Sequence, residues 1–290
     1  MITLSNNHSF EFMAASGTLA FDGRGWLWEQ PLRWMGTIKP ELFTIVVKSL
    51  TLKPRQGNLR WYAPWRSVRL LKEGTVNAVG LTNPGIDEWI KNIYPKIEQS
   101  PWNFVVSIAG ENLQEYMEMT LRLKNCTKLK ALEINASCPN SSGELQQNAQ
   151  AVIDTAQALK YVATCPLILK LSYTHDYVKI AKALENVVEA ISINSVPWSA
   201  AYPNKKSPLK KLGNGGVSGK MVQKYTWKMV EELSRTTTMP VIGASVWEYE
   251  DLSKLFELGA KAIAFGSVFL RYPWRPTTFV RRWQKQSQKN

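Results

Sequence analysis

Eight short runs of apolar, often β-branched residues recur along the chain, and each ends in a polar or glycine-containing turn. They are FMAASG (12–17), FTIVVKS (43–49), FVVSIAG (104–110), ALEINAS (131–137), LILKLS (167–172), AISINS (190–195), VIGAS (241–245) and AIAFGS (262–267). Stretches with apolar residues three and four apart lie between many of them, at 112–125, 145–163, 176–187, 219–236 and 248–258. Strands that alternate with helices form parallel βαβ units. We therefore predict an α/β protein with a (β/α)8 TIM-barrel fold.

A ninth extended piece, VNAVGL (76–81), does not fit an eightfold count. We assign it to an insertion spanning about 50–100 that caps the barrel mouth. A length of 290 residues is ordinary for one barrel, so a single domain over 1–290 is expected. The competing fold, an open doubly wound sheet, needs a glycine-rich first turn, and ASGTLAFDG is a poor one.

The charge balance is strongly basic. The chain has 36 lysine and arginine residues against 23 aspartate and glutamate residues, a net charge of +13. Such a charge favours anionic partners, but its sign alone does not choose among phosphates, carboxylates, nucleic acid and acidic membrane surfaces. The densest group, Lys205, Lys206, Lys210 and Lys211, is most simply a solvated loop.

The sequence also bounds the compartment. The start, MITLSNNHSFEFM, has no basic leader followed by an apolar region, and no apolar run of 18 residues occurs. We expect a soluble, cytoplasmic protein with no membrane partner. Three cysteines, Cys126, Cys138 and Cys165, are an odd number without metal-ligand spacing, which suits a reducing compartment. With His8 and His175 the only histidines, no metal site is expected.

Polar side chains stand where the predicted strands end. Lys48 ends the second strand, Lys170 lies within LILKLS, and Asn194 with Ser195 ends AISINS. Because the active site of a TIM barrel forms at the carboxyl ends of its strands, these side chains should face one cavity. Burying a lysine inside an apolar strand costs free energy unless its ammonium group contacts an anion or several acceptors. Lys170 therefore indicates a ligand or a buried partner more strongly than Lys48 does.

One thiol lies between two amides at the end of the fourth predicted strand, in ALEINASCPN (131–140). A single cysteine in an apolar sequence is more often an inert buried side chain. Cys138 lies beyond the apolar run, beside Ser137 and Pro139, which favours a position at the surface of a cleft. Asn135 and Asn140 would then converge with it on a ligand.

Glycines dominate the last third of the chain. Four of them precede a predicted helix, and Gly243 and Gly266 follow the seventh and eighth strands. Exposed backbone amides bind phosphate, and in a barrel the loops after strands seven and eight are the usual place for it. We therefore expect an anion site at Gly243 to Ser245 and at Gly266 to Ser267.

From about Phe12 to Leu270 the sequence resembles a family, the dihydroorotate dehydrogenases. The matching motifs are ASG (15–17), KSLTLKPRQGN (48–58), NAVGLTNPG (77–85), SIAG (107–110), EINASCPN (133–140), LKLS (169–172), INS (193–195), GNGGVSG (213–219) and FGS (265–267). The resemblance implies an FMN across the barrel mouth and FMN-dependent oxidation of dihydroorotate to orotate in pyrimidine biosynthesis. It makes the chain an oxidoreductase acting on CH–CH groups.

The resemblance also implies residue roles. Cys138 would remove the C5 proton while hydride leaves C6 for flavin N5, and Lys170 would stand beside the flavin N1 and O2 edge. The residues assigned to the cofactor are Ala15, Ser16, Gly17, Lys48, Ser49, Asn135, Lys170, Asn194, Gly216, Gly243, Ala244, Ser245, Gly266 and Ser267. Those assigned to the substrate are Lys48, Asn77, Val79, Gly80, Leu81, Asn135, Asn140, Asn194 and Ser195.

Cysteine rather than serine at position 138 resembles the soluble class 1 enzymes of the family. Arg55 and the SSGELQ stretch (141–146) favour the stand-alone type that uses fumarate as electron acceptor, and the family suggests a homodimer. Two departures stand out. Gly243-Ala244-Ser245 replaces the usual Gly-Gly phosphate turn, and Trp198 follows the substrate loop.

Three other functions stay open. A flavin-dependent tRNA dihydrouridine synthase-like enzyme explains the basic charge better, but it has an arginine where this chain has Ser172 and needs a carboxyl-terminal RNA-binding domain, whereas about twenty residues follow Leu270. A reductase of another dihydropyrimidine is the second. The third is a non-catalytic basic binding module, against which the retained polar set argues. Nucleic acid is therefore not the expected partner.

Overall fold

The structure is a computed structural model that describes residues 1–136 and 148–288. Its strands, numbered along the chain, include two very short ones at the start. They are β1 Ile2–Thr3, β2 Ser9–Phe10, β3 Phe12–Ala14, β4 Thr44–Val46, β5 Val68–Leu71, β6 Gly74–Asn77, β7 Asn103–Ile108, β8 Leu129–Asn135, β9 Leu167–Leu171, β10 Ala190–Ile193, β11 Val196–Pro197, β12 Gly216–Gly219, β13 Val241–Gly243 and β14 Ala262–Phe265.

The helices follow the same numbering. They are α1 Gln30–Trp34, α2 Ile86–Asn92, α3 Tyr94–Glu98, α4 Leu113–Arg122, α5 Ala149–Val162, α6 Tyr177–Ala183, α7 Trp198–Ala201, α8 Gln223–Thr236, α9 Asp251–Glu257, α10 Ser267–Arg271 and α11 Arg275–Ser287. Within the described ranges, no helix is long and apolar enough to cross a bilayer.

Eight parallel strands close into a barrel in the order β3-β4-β7-β8-β9-β10-β13-β14, with β14 pairing back onto β3. Each contains the centre of one of the eight runs picked out from the sequence. Helices alternate with the strands, so the predicted (β/α)8 TIM barrel is confirmed. The repeat of strand and helix predicts this fold because both faces of a parallel strand are buried, which produces nearly continuous apolar runs.

The barrel interior is filled by one apolar layer to which every barrel strand contributes a residue. Its members from the strands are Met13, Val46, Val105, Ala131, Ile168, Ala190, Ile242 and Ala262. The β1–β2 hairpin adds Ile2, Leu4 and Phe10 to the same cluster, so apolar side chains plug the amino end of the barrel. A ligand site is therefore left to the carboxyl end.

A second, four-stranded antiparallel sheet has the order β11-β12-β6-β5. Strands β5 and β6 come from the range expected to hold the insertion, while β11 and β12 come from a separate stretch after β10. Residues expected to begin a helix at 219 are strand up to Gly219, and α8 starts at Gln223. Helices α2 and α3, also within 50–100, pack on the barrel through Trp89 and Ile97.

Glycine is required at position 219, where β12 lies close to β6 and to the start of α10. At Gly219, φ is +100° and a Cβ would lie 2.7 Å from Gly74 Cα and 3.2 Å from Ser267 Oγ. Such a conformation and such contacts exclude a side chain. The absence of a side chain at Gly219 therefore lets this sheet pack directly over the start of α10.

Candidate active site

A cavity of about 280 Å³ opens at the carboxyl ends of the barrel strands, beneath the four-stranded sheet. This is close to the lower end of the ~300–1,000 Å³ typical of ligand pockets. Most residues singled out from the sequence line it. They are Ala15, Ser16, Gly17, Lys48, Ser49, Asn77, Val79, Gly80, Leu81, Asn135, Lys170, Asn194, Ser195, Ala244, Ser245, Gly266 and Ser267.

Four of the expected site residues are not among those lining residues. Cys138 and Asn140 lie outside the described residues. Gly216 is buried in β12, opposite Asn77 of β6. A Cβ on Gly243 would lie 3.1 Å from the Leu255 side chain, so this glycine allows α9 to pack closely against β13.

A polar layer lies one step above the apolar interior. Residues two apart on a strand point to the same face, so Glu133 on β8, Lys170 on β9 and Ser192 on β10 form this layer above Ala131, Ile168 and Ala190. Lys170 Nζ is 3.3 Å from Glu133 Oε1, and the Ser192 hydroxyl donates to Glu133 Oε2 at 3.0 Å.

Both charged side chains of this layer are almost completely buried, at 9% and 3% exposed. Burial of two ions is tolerated when they pair and their remaining polar atoms are hydrogen-bonded. Glu133 meets both conditions, because each carboxylate oxygen has a partner. Lys170 therefore brings its charge to the cavity with a fixed counter-ion below it.

A second network joins serine hydroxyls to Asn135. The Ser49 N–H donates to Ser16 Oγ at 3.1 Å, and the Ser49 and Ser107 hydroxyls are 2.8 Å apart. Asn135 Nδ2 donates to Ser49 Oγ at 3.0 Å, while the Tyr116 hydroxyl donates to the Asn135 carbonyl at 2.9 Å. Both the side chain and the backbone of Asn135 are thus held at the end of β8, on the cavity wall.

The turn at Val79, Gly80 and Leu81 is shaped by the buried Asn83. Gly80 and Leu81 both have positive φ, of +67° and +56°. Asn83 Nδ2 donates to the Leu81 carbonyl at 2.6 Å, and Asn83 Oδ1 accepts from the Gly85 N–H at 2.8 Å. Successive residues of this kind form concavities lined by N–H groups, which bind anions. This turn is therefore suited to a carboxylate.

The loop after β13 presents its backbone amides to the cavity. The Ala244 carbonyl accepts from Trp227 Nε1 at 3.2 Å and the Ser245 carbonyl from Gln223 Nε2 at 3.0 Å, both on α8. Asp251 Oδ2 accepts from Gln223 Nε2 and from the Trp247 N–H, each at 2.8 Å. The carbonyls are thereby drawn towards α8, which leaves the N–H groups for a ligand.

This loop and the one after β14 have backbone N–H groups that are free to donate to an anion such as a phosphate. Among the described residues, the N–H groups of Ser245 and Gly266 donate to no protein acceptor. The nearest heavy atom to a Cβ built on Gly266 is Ala15 Cβ at 3.8 Å, so the backbone there is open to close approach. Ser245 has φ of +67°, an uncommon conformation for a residue with a side chain. The turn therefore keeps its shape without the usual second glycine.

An aromatic wall completes one side of the cavity. Trp26 and Trp28 line it and stack at 5.5 Å between ring centroids, with 6° between the ring planes. Trp26 Nε1 donates to the Gly17 carbonyl at 2.9 Å, and the Trp26 N–H donates to Glu29 Oε2 at 2.8 Å. Glu29 is 1% exposed, and burial raises the pKa of its carboxyl to about 7.

Sequence reasoning missed several of these residues. Glu133 lies in the EINASCPN motif with no signal of its own, because its role depends on a partner 37 positions away. Asn83, Gln223 and Asp251 form hydrogen bonds to backbone groups, and such contacts produce no recognisable sequence motif. The Trp26-x-Trp28 pair, next to Gly23 and Gly25, was the available signal for the aromatic wall.

The two described cysteines are poor candidates for a base. Burial raises the pKa of the Cys126 thiol to about 11, and it does the same for Cys165. Neither residue lines the cavity. Cys126 packs in the core between the barrel and its helices, and Cys165 packs against that core.

Comparison with known proteins adds the family. Residues 29–277 match the family Dihydroorotate dehydrogenase. Three bacterial relatives bear the name dihydroorotate dehydrogenase B (NAD(+)), catalytic subunit. The protein of Caldicellulosiruptor bescii is 32% identical over 79% of this chain and 76% of its own length. Those of Bacteroides thetaiotaomicron and Geobacillus kaustophilus are each 30% identical, over 77% and 92% of this chain and 74% and 84% of their own lengths.

A solved structure supports the fold. The crystal structure of a ligand-free DHODH from Eimeria tenella superimposes with a TM-score of 0.71 at 20% identity, covering 97% of this chain and 84% of that one. Enzymes of the matched family are FMN-dependent oxidoreductases that act on CH–CH groups. The length and identity of these matches leave no ambiguity about kinship, and the chain belongs to the dihydroorotate dehydrogenase family.

Proposed function

We propose that the chain oxidises dihydroorotate to orotate in the cavity described above, with FMN as its cofactor. One observation carries the proposal for this particular chain. A buried, counter-balanced lysine, an anchored asparagine and an amide-lined turn all face one cavity at the carboxyl end of the barrel. An anionic pyrimidine needs this combination of a cation, amide donors and acceptors, and a carboxylate site.

The residues for the cofactor divide between two ends of the cavity. The N–H groups of Ser245 and Gly266 would bind the phosphate, and Lys170 would face the ring. FMN, when bound, supplies the acceptor for the hydride that leaves C6 of the substrate. The fixed charge of Lys170 favours an electron-rich ring beside it, because a preorganised cation stabilises negative charge without reorganisation.

Cys138 is our candidate for the base that removes the C5 proton. It comes three residues after the anchored Asn135, the last residue of β8, and it lies outside the described residues. A thiol suits this task when its thiolate is accessible near neutral pH. The high pKa values of Cys126 and Cys165 leave Cys138 as the thiol whose sequence position fits the work.

We assign the substrate ring and its carboxylate to different groups. Asn77, Asn135 and Asn194, together with Asn140, would pair with the ring edges, since each amide offers a donor and an acceptor. The turn at Val79 to Leu81, with Ser195, would bind the carboxylate. Lys48, buried beside Gly17, would contact both the substrate and the cofactor.

The electron acceptor separates two versions of the proposal. Arg55 and the SSGELQ stretch favour fumarate, whereas the names of the three bacterial relatives favour an NAD(+)-linked system in which the chain is one subunit. We favour a separate electron-transfer subunit, acting on a homodimer in the cytoplasm. Rapid reoxidation of the reduced protein by fumarate alone, in the absence of oxygen, would contradict this choice.

The test of the proposal is anaerobic reduction of the FMN-loaded protein. Dihydroorotate should bleach the flavin absorbance, while dihydrouracil, which lacks the carboxylate, should do so far more slowly. Cys138→Ala should retain FMN and lose at least a hundred-fold in the rate of reduction, about the contribution of a general base. Cys126→Ala is the matched control and should reduce at the parent rate. Equal rates in both variants would remove Cys138 from the proposal, and failure to bind FMN would remove the proposal itself.

A further inference from the structure

Nearly all of the net charge comes from the two segments that build the four-stranded sheet, residues 50–77 and 196–224, which we call the cap. The first contains Lys53, Arg55, Arg60, Arg66, Arg69 and Lys72. The second contains Lys205, Lys206, Lys210, Lys211, Lys220 and Lys224. Glu73 is the only acidic residue in either segment, although the chain has 23 acidic residues in total. The barrel is therefore close to neutral, and the charge is local to the cap.

Most of this charge is exposed and unbalanced. Arg66, Arg69 and Lys72 are exposed, and among the described residues none of them forms a salt bridge. The lysine group at 205–211 is also exposed. Glu73 is already engaged by Lys220 at 3.2 Å. The cap thus presents a surface with a strong preference for an anionic partner.

The same surface carries large apolar side chains at the edge of the cavity. Trp61, Tyr62, Trp65 and Leu70 are 74%, 57%, 59% and 51% exposed, and Trp28 across the opening is 44% exposed. We call these five residues the cap rim. Their chain neighbours Trp26, Leu59, Pro64 and Val68 line the cavity, so the rim surrounds its opening.

The residues of the rim fit a bilayer interface. The rings of Trp61 and Tyr62 pack edge to face at 5.6 Å between centroids, and both side chains are more than half exposed. A bilayer interface accepts projecting tryptophan and leucine side chains without a complementary pocket. Basic residues beside them gain further from anionic headgroups, by roughly five-fold in affinity for each lysine or arginine near the surface.

We propose that the cap docks on the surface of an anionic lipid bilayer, with the cap rim inserted among the headgroups and the basic residues around it. The expectation of no membrane partner rested on the lack of a spanning segment and of a leader, and interfacial docking requires neither. The proposal stands independently of the reaction in the cavity.

The test is sedimentation of the full-length, FMN-loaded protein with vesicles. Phosphatidylcholine vesicles serve as the neutral surface, and vesicles that also contain phosphatidylserine serve as the anionic one. We expect binding to the anionic vesicles alone, with affinity that falls steeply as salt is raised because the charges are exposed. Equal binding to both kinds of vesicle, or no binding to either, overturns the proposal.

Two variants with matched controls locate the surface. Arg66→Glu/Arg69→Glu should weaken binding by roughly thirty-fold or more, from the loss of two favourable charges and the gain of two repulsive ones. Lys124→Glu/Lys160→Glu, on the outer helical layer, makes the same charge change away from the cap and should have a much smaller effect. Trp61→Ala/Trp65→Ala should weaken binding, and Trp34→Ala should not. Trp34 is 76% exposed at the end of α1, where its neighbour Arg33 lies over Trp102 near the start of β7.

Other partners give different results in the same assays. If the Trp61→Ala/Trp65→Ala variant abolishes a concentration-dependent dimer while no vesicle binding occurs, the cap is an interface between two copies and the proposal is wrong. If the parent protein shifts single-stranded RNA at low salt but ignores vesicles, the partner is nucleic acid and the proposal is equally wrong. Equal thermal midpoints for all variants would show that these results do not arise from unfolding.

Discussion

The buried pair of Lys170 and Glu133 makes the sharpest prediction about the site. Its atoms are 3.3 Å apart, a distance at which opposite charges attract by about 5 kcal/mol at an effective dielectric constant of about 20. Removing one partner of a buried pair costs about 3–5 kcal/mol, because the other charge is left without compensation. Glu133→Gln retains an oxygen that can accept from Ser192, so we expect the lower end, about 3 kcal/mol.

The assay is a double-mutant cycle with Glu133→Gln and Lys170→Met. Urea unfolding is followed at saturating FMN, and the FMN dissociation constant of each variant is measured so that the contribution of binding can be subtracted. The double variant should be more stable than the two single losses predict, by about 2 kcal/mol. The exposed pair of Arg235 and Glu231 on α8, 2.7 Å apart, is the control, and its coupling should stay below about 0.5 kcal/mol.

Glu133→Gln should also change the redox potential of the bound flavin. With Glu133 neutral, the charge of Lys170 is no longer balanced, and the electron-rich reduced flavin should be favoured. We expect the two-electron midpoint potential to rise by about 30 mV, which corresponds to about 1.4 kcal/mol. Single costs that simply add, together with an unchanged potential, would refute the idea that the pair sets the charge of the cavity.

Three further predictions concern the supports of the cavity. Burial raises the pKa of Glu29 to about 7, so the native state binds the carboxyl proton more tightly than the unfolded state does. The free energy of unfolding should therefore fall by about 3 kcal/mol as pH rises from about 4.5 to about 7. Glu29→Gln should reduce this pH dependence in thermal unfolding scans. Asp251→Ala removes the acceptor that holds the loop after β13 and should weaken FMN binding at least ten-fold in a fluorescence titration; an unchanged affinity would mean that the loop holds its shape without it. Asn83→Ala should raise the KM for dihydroorotate about ten-fold while FMN affinity stays the same, and equal losses of both would count against a role in the carboxylate turn.

The barrel could be predicted from the sequence because its signal is local. Each barrel strand is buried on both faces, so runs such as LILKLS and AISINS are mostly apolar and end where the backbone leaves the sheet. The order of those runs then fixes which loops meet at the mouth. Most residues assigned to the site line one cavity for this reason, although the assignment of roles came from resemblance to a family.

The cap could be predicted only in part, because its strands are short and its pairing is long-range. Strand β11 has two residues and β12 has four, three of them glycine or serine, and neither length nor alternation marks them as strands. Strand β12 pairs with β11 and with β6, which lies more than 100 positions earlier in the chain. A pattern read over ten or fifteen residues contains no trace of that contact.

Side-chain partners on neighbouring barrel strands, such as Lys170 and Glu133, also could not be predicted from the sequence. Lys170 predicts an anion or several acceptors, but several acidic residues could have supplied it. The choice of Glu133 follows from the stagger of β8 against β9, which places Asn135 opposite Lys170 and Glu133 two residue pairs below, opposite Ile168. Backbone supports such as Asp251 are hidden for a similar reason, since an exposed helix cap and a buried loop anchor look alike in sequence.

Oxidation of dihydroorotate by the bound flavin can be measured in a stoichiometric anaerobic titration of the FMN-loaded protein, in which flavin absorbance and orotate are followed together. We expect each equivalent of dihydroorotate to reduce one flavin and to yield one orotate until the flavin is exhausted. A flavin that stays oxidised in the presence of excess dihydroorotate, or one that is reduced without formation of orotate, would contradict it.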